Sequence, residues 1–125
     1  MEVYFMEIIY NTRVTNIGGL VSAFYEEKLI IIFKDNAPEE LADYCVLHCG
    51  NEVSDSVKQG DVLVIAGQEY KVVYVGDEVQ ANLENLGHIT LRFDGNTEGL
   101  GGSLYLEDKA LPAIKIGDVI SIYRE

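Results

Sequence analysis

A chain of 125 residues, 48% hydrophobic and 24% charged, fits one globular domain over 1–125, large enough to bury a core without disulfide or metal staples. Nine basic against 21 acidic residues give a net charge of −12. With no Lys/Arg cluster, that balance excludes a phosphate-neutralising nucleic-acid interface, disfavours an anionic membrane surface, and would steer a basic protein partner inward.

The longest apolar run, Leu29 to Phe33, is far below the roughly 18 residues a spanning helix needs. The N-terminus carries early acids and no basic stretch, unlike a signal peptide. Two cysteines four positions apart suit a reducing compartment better than a secreted disulfide scaffold. These features predict a cytoplasmic protein that is not membrane-inserted.

Tyr4 to Ile17, rich in Val, Ile, Tyr and Thr, predicts an extended strand ended by the turn at Gly18-Gly19. Leu29 to Phe33 is a continuous apolar run of strand length, predicting cover on both faces. Pro38 to Tyr44 predicts a short helix, with proline and acids at its start. Asp61 to Ile65 and Glu69 to Val75 predict a hairpin turned by Ala66-Gly67-Gln68. Asp77 to Leu86 reads as a second helix, with Asp77 as N-cap, Val79, Leu83 and Leu86 at helical spacing, and Gly87 as the stop. Ile89 to Phe93 predicts a strand ended by Asp94-Gly95, followed by a glycine-rich loop at Glu98 to Gly102. Ser103 to Leu106 and Val119 to Tyr123 read as closing strands.

Many short strands with one or two short helices predict a mainly β fold: a small closed or nearly closed β-barrel, since closure removes exposed edges. One echo stands out. Val57 to Ile65 resembles Ile114 to Ile122, each with a Gly-Asp turn feeding a β-branched strand. It reads either as common turn-to-strand grammar or as the trace of a duplicated half-barrel.

The densest chemical cluster is Cys45-Val46-Leu47-His48-Cys49-Gly50. Its residue types admit four readings. With His88, the segment supplies four candidate zinc ligands, Cys45, His48, Cys49 and His88, but three of them crowd one stretch. A cysteine nucleophile with a histidine base is a second reading, which strand alternation opposes by turning Cys45 and Cys49 away from His48. A structural role as buried small apolar residues is the third. The fourth is a histidine that accepts a phosphoryl group, because a neutral imidazole is nucleophilic near pH 7 and phosphoryl transfer asks mainly for positioning and donors. No metal or other cofactor is required by it. In the second segment, Gly87 to Gly95, alternation puts His88, Thr90 and Arg92 on one strand face, either an ordinary solvated face or a row of donors suited to a phosphoryl group.

Two stretches carry a resemblance. Phe33-Lys34-Asp35-Asn36-Ala37-Pro38 running into Asp43-Tyr44-Cys45-Val46-Leu47-His48-Cys49, and Asn82 through Gly95, resemble the glucitol/sorbitol-specific IIA family of the phosphoenolpyruvate-dependent sugar phosphotransferase system. The resemblance runs from about Ile8 to the C-terminus. It implies a phosphotransferase component that works through a phosphohistidine in a small β-barrel. A histidine-containing phosphocarrier protein would phosphorylate the histidine of the Cys-x-x-His-Cys segment, here His48. The group would then pass to the IIB domain of a membrane glucitol/sorbitol transporter. Apart from the resemblance, their shared strand face leads to the expectation that His88, Thr90 and Arg92 lie near His48 and orient the phosphoryl group, while the resemblance leaves Cys45 and Cys49 without a role. The alternative is a non-catalytic β-barrel that binds a ligand or regulates a partner.

Overall fold

β-Branched and aromatic residues fill the segments that become strands, as expected where side chains must pack on a pleated surface. In the computed structural model, which describes residues 7–50 and 52–125, these are β1 (Glu7–Ile17), β2 (Leu29–Lys34), β3 (Cys45–His48), β4 (Val62–Ile65), β5 (Gln68–Val75), β6 (Ile89–Arg92), β7 (Ser103–Leu106) and β8 (Val119–Arg124). They form a closed barrel in the order β1-β3-β2-β6-β7-β5-β4-β8, and the ring shuts because β1 pairs with both β3 and β8. The β2–β3 and β6–β7 pairs are parallel and the rest antiparallel. The expected β-barrel is therefore observed. Of the predicted first strand, residues 4–6 lie outside the described residues. Among the described residues, no helix is long and apolar enough to cross a membrane.

Local differences have local causes. The β4–β5 turn is Ala66-Gly67 alone, with φ of +50° and +76°, so Gln68 already belongs to β5. Both turn residues take positive φ, the two-residue geometry whose twist matches a hairpin. Helix α1 (Glu39–Ala42) follows Pro38 as expected. Helix α2 (Val79–Leu86) begins one residue later than the Asp77 cap would put it: Glu78 is the N-cap, and no side chain caps the helix. Val79 and Leu83 are buried, but Leu86 is exposed. A 3₁₀ helix at Val21–Glu27, absent from the sequence reading, covers β2 from outside.

Two apolar layers flank the β2–β3 wall. Ile30, Ile32, Val46, Ile89 and Leu91 point into the barrel and join the main core. Phe33, Cys45 and Leu47, with Ile31 and Ala42, form a second cluster outside. That explains why β2 is apolar on both faces.

The sequence echo extends around the ring. Gly60 and Gly117 take φ of +94° and +95°. The Lys58 and Lys115 N–H groups donate to Asp61 and Asp118 carboxylates, each at 2.7 Å. Gly60 N–H donates to the Val72 carbonyl, and Gly117 N–H to the Val14 carbonyl, each at 2.8 Å. Moving every strand four places along the chain, β1 to β5 and onward, reproduces the pairing order, including the irregularity after Val14 and after Val72. The barrel thus has an internal twofold. Val14 pairs with His48 and Val72 with Leu106, so Leu106 occupies in one half the place of His48 in the other.

Candidate functional site around His48

His48 ends β3, opposite Val14 of β1 and Lys34 of β2. Alternation from the buried Val46 turns its side chain inward, and its relative exposure is 0%. A fully buried imidazole must satisfy both ring nitrogens. Nε2 lies 2.7 Å from the Gly87 carbonyl oxygen. Nδ1 lies 3.0 Å from Thr12 Oγ1 and 3.3 Å from the Tyr10 hydroxyl. The Tyr10 ring meets the imidazole edge-on, with centroids 6.2 Å apart.

Gly87 fits this role through its backbone. It stops α2 in the left-handed region, with φ +60°, and its N–H donates to the Asn82 and Leu83 carbonyls. A Cβ there would stand 2.9 Å from His48 Cε1 and 3.1 Å from Lys34 Cβ. Only a residue without a side chain both turns the helix end and brings its carbonyl against the ring.

On the other side, Thr12 Oγ1 accepts the Gly50 N–H at 2.8 Å, and the Tyr10 hydroxyl donates to the Gly50 carbonyl at 2.6 Å. Cys49 Sγ is 3.8 Å from Thr12 Oγ1 and exposed. Burial drives the His48 pKa below its ordinary value of 6.5; the Gly87 carbonyl and the Asp35 carboxylate oppose that effect without reversing it. The ring is neutral near pH 7. Burial likewise raises the Tyr10 hydroxyl, which stays protonated, and pushes the Cys45 thiol up to about 11, so it is no ready nucleophile.

The remaining expected site residues lie elsewhere. His88, Thr90 and Arg92 do share one face, but it is the outer one. His88 stacks on Phe33 with centroids 4.3 Å apart and reaches the Ile32 carbonyl through Nδ1, at 3.2 Å. Thr90 lines an outer hollow with Cys45, Ile31 and Tyr44, and Arg92 Nε donates to Ser103 Oγ at 2.9 Å. The structure does not bring these three side chains to the His48 imidazole: the barrel wall stands between them. The same wall separates Cys45 from His48. Among the described residues, no three His, Cys, Asp or Glu side chains are grouped to hold a metal. Tyr10, Thr12 and Gly50 are the partners the sequence reading missed. Tyr10 and Thr12 lie 38 and 36 positions from His48 and Gly50 sits in a loop, and no motif spacing marks them.

The sequence pattern of the family described as "PTS system glucitol/sorbitol-specific IIA component" matches residues 9–121. The chain belongs to this glucitol/sorbitol-specific IIA family of the sugar phosphotransferase system. Proteins named "PTS system glucitol/sorbitol-specific EIIA component" from Shigella flexneri and Escherichia coli K12 are each 37% identical over 93 residues, covering 74% of this chain and 76% of theirs. The crystal structure of a PTS system IIA component from Enterococcus faecalis V583 superposes with a TM-score of 0.78 at 28% identity, covering 89% of this chain and 97% of that one. Membership in a IIA family carries a phosphotransfer role in the sugar phosphotransferase system.

Proposed function

We propose that this IIA chain is a cytoplasmic phosphoryl carrier, single-domain over 1–125, that accepts a phosphoryl group on His48 from the histidine-containing phosphocarrier protein. It passes the group to the IIB domain of a glucitol/sorbitol transporter. The observation that carries the reading is the state of His48: a neutral imidazole, with one nitrogen held against a carbonyl and the other lined by hydroxyls, in a family of phosphotransfer components.

The chemistry follows from that arrangement. An unprotonated imidazole nitrogen attacks phosphorus in line, and the bond from phosphorus to the donor's imidazole breaks. No metal is needed, because the protein's task is positioning and the supply of donors to the equatorial oxygens. With the acceptor surface carrying excess acid, a basic patch on the donor is the complementary partner.

Intact-mass measurement tests the proposal. The chain is incubated with phosphoenolpyruvate, enzyme I and the phosphocarrier, beside His48→Ala. Gain of one acid-labile phosphoryl group by wild type alone is the expected result. No gain in either refutes the carrier reading and leaves the alternative, a ligand-binding or regulatory barrel. Gain in both moves the nucleophile away from His48.

A further inference from the structure

We infer that Nδ1 of His48 is the nitrogen that takes the phosphoryl group, with the Thr12 hydroxyl as its positioning partner and Nε2 permanently protonated against the Gly87 carbonyl. The inference deepens the proposed carrier role and rests on it.

Proton bookkeeping around the ring decides the nitrogen. A carbonyl oxygen only accepts, so the 2.7 Å approach of Nε2 to the Gly87 oxygen requires a hydrogen on Nε2. The opposite tautomer would set two lone pairs against each other at that distance. In the neutral ring Nδ1 is then bare. Its neighbours agree. Tyr10 has one hydroxyl proton, committed to the Gly50 carbonyl at 2.6 Å. Thr12 Oγ1 accepts the Gly50 N–H at 2.8 Å, which leaves its own proton free to point at Nδ1, 3.0 Å away.

Position points the same way. Nε2 faces the buried Gly87, whereas Nδ1 faces Thr12 and Gly50, beside the exposed Cys49. Nδ1 thus stands on the side of the half-buried Gly50 and the exposed Cys49, and the Thr12 and Tyr10 hydroxyls must give way for a phosphoryl group to reach its lone pair.

The transfer balances without a mobile proton. The donor's phosphohistidine, protonated on its second nitrogen, leaves as neutral imidazole when its bond to phosphorus breaks. The Nδ1 lone pair forms the new bond. His48 becomes a phosphoimidazolium that keeps its Nε2 proton, and its positive charge strengthens the bond to the Gly87 oxygen. The Thr12 hydroxyl, released from Nδ1, and the Gly50 N–H, released from Thr12, are the donors nearest the equatorial oxygens.

The test reads the nitrogen directly. Long-range ¹H–¹⁵N spectra of the unphosphorylated protein are expected to show a neutral ring with a bare Nδ1, and the phosphorylated protein to show phosphorus coupled to Nδ1. Thr12→Val is expected to slow transfer about ten- to a hundredfold, the worth of one hydrogen bond to a charged group, with the tautomer unchanged and Thr12→Ser restoring most of the rate. A bare Nε2, or phosphorus on Nε2, overturns the inference while leaving the carrier role intact. Wild-type transfer by Thr12→Val removes Thr12 from it. A chain that takes up no phosphoryl group at all refutes the carrier role and this inference together.

Discussion

Replacing Gly87 by alanine combines two effects, a left-handed backbone and a crowded Cβ. A left-handed backbone costs an L-residue about 1–2 kcal/mol. At Gly87 the new Cβ also falls 2.9 Å from His48 Cε1, inside contact distance, and overpacking of that kind adds about 1–3 kcal/mol. The sum is about 3 kcal/mol. With 125 residues and an unfolding entropy of about 2.1 cal/mol/K per residue, each kcal/mol lowers Tm by about 4 °C. Gly87→Ala should therefore melt about 12 °C below wild type. Gly67→Ala is the matched control: its φ is +76°, but nothing lies within 4 Å of its Cβ, so about 4–8 °C is expected. Calorimetry of the two variants measures the difference. Phosphoryl acceptance by Gly87→Ala should fall as well, because the ring must shift away from the carbonyl that fixes it, while Gly67→Ala should transfer normally. If Gly87→Ala melted no lower than Gly67→Ala and accepted phosphate at the wild-type rate, the coupling of helix end to imidazole would be refuted.

Other outcomes follow from the same geometry. The folded state holds His48 neutral below its ordinary value of 6.5, so as pH falls through that value the unfolded chain binds a proton the folded chain refuses, and stability declines. Melting curves between pH 7.5 and 5.5 should show that loss in wild type and a smaller one in His48→Gln. Arg92→Ala and Thr90→Val, on the far side of the wall, should leave the phosphorylation rate unchanged; a large loss would mean that the outer face serves the reaction. Transfer from the phosphocarrier should slow several-fold as salt rises toward 1 M, where the screening length shrinks to about 3 Å, and a flat profile would count against docking by the acidic surface.

What the sequence makes legible here is local. Strand propensity, the glycine stop of α2 and the inward turn of His48 relative to Cys45 all depend on neighbours within a few positions, and the structure has them as read. What it hides is which side of a wall faces the core. Alternation groups His88, Thr90 and Arg92 correctly, but β2 and β3 carry apolar residues on both faces because the 3₁₀ helix and α1 roof them from outside. A polar row on β6 could therefore have faced either way. Thr12 and Tyr10 were equally hidden, since their meeting with His48 depends on the register of β1 against β3 across more than thirty residues. The Asp77 cap failed for a smaller reason: one residue's shift hands the cap position to Glu78, whose side chain does not use it.

The seam between the first and the last strand bears on how the molecule assembles. Strand β8 holds β1 on one side and β4 on the other, so neither can complete its ladder until the segment through Arg124 has been made. Up to that moment a chain emerging from the ribosome carries two open strand edges, Glu7–Ile17 and Val62–Ile65, with Ile9, Val14, Leu63 and Ile65 awaiting cover. Contacts spanning nearly the whole chain close slowly, because loop entropy is lost before they repay it. The nascent chain is most prone to aggregation in that interval, and loss of the last strand would return it there for good.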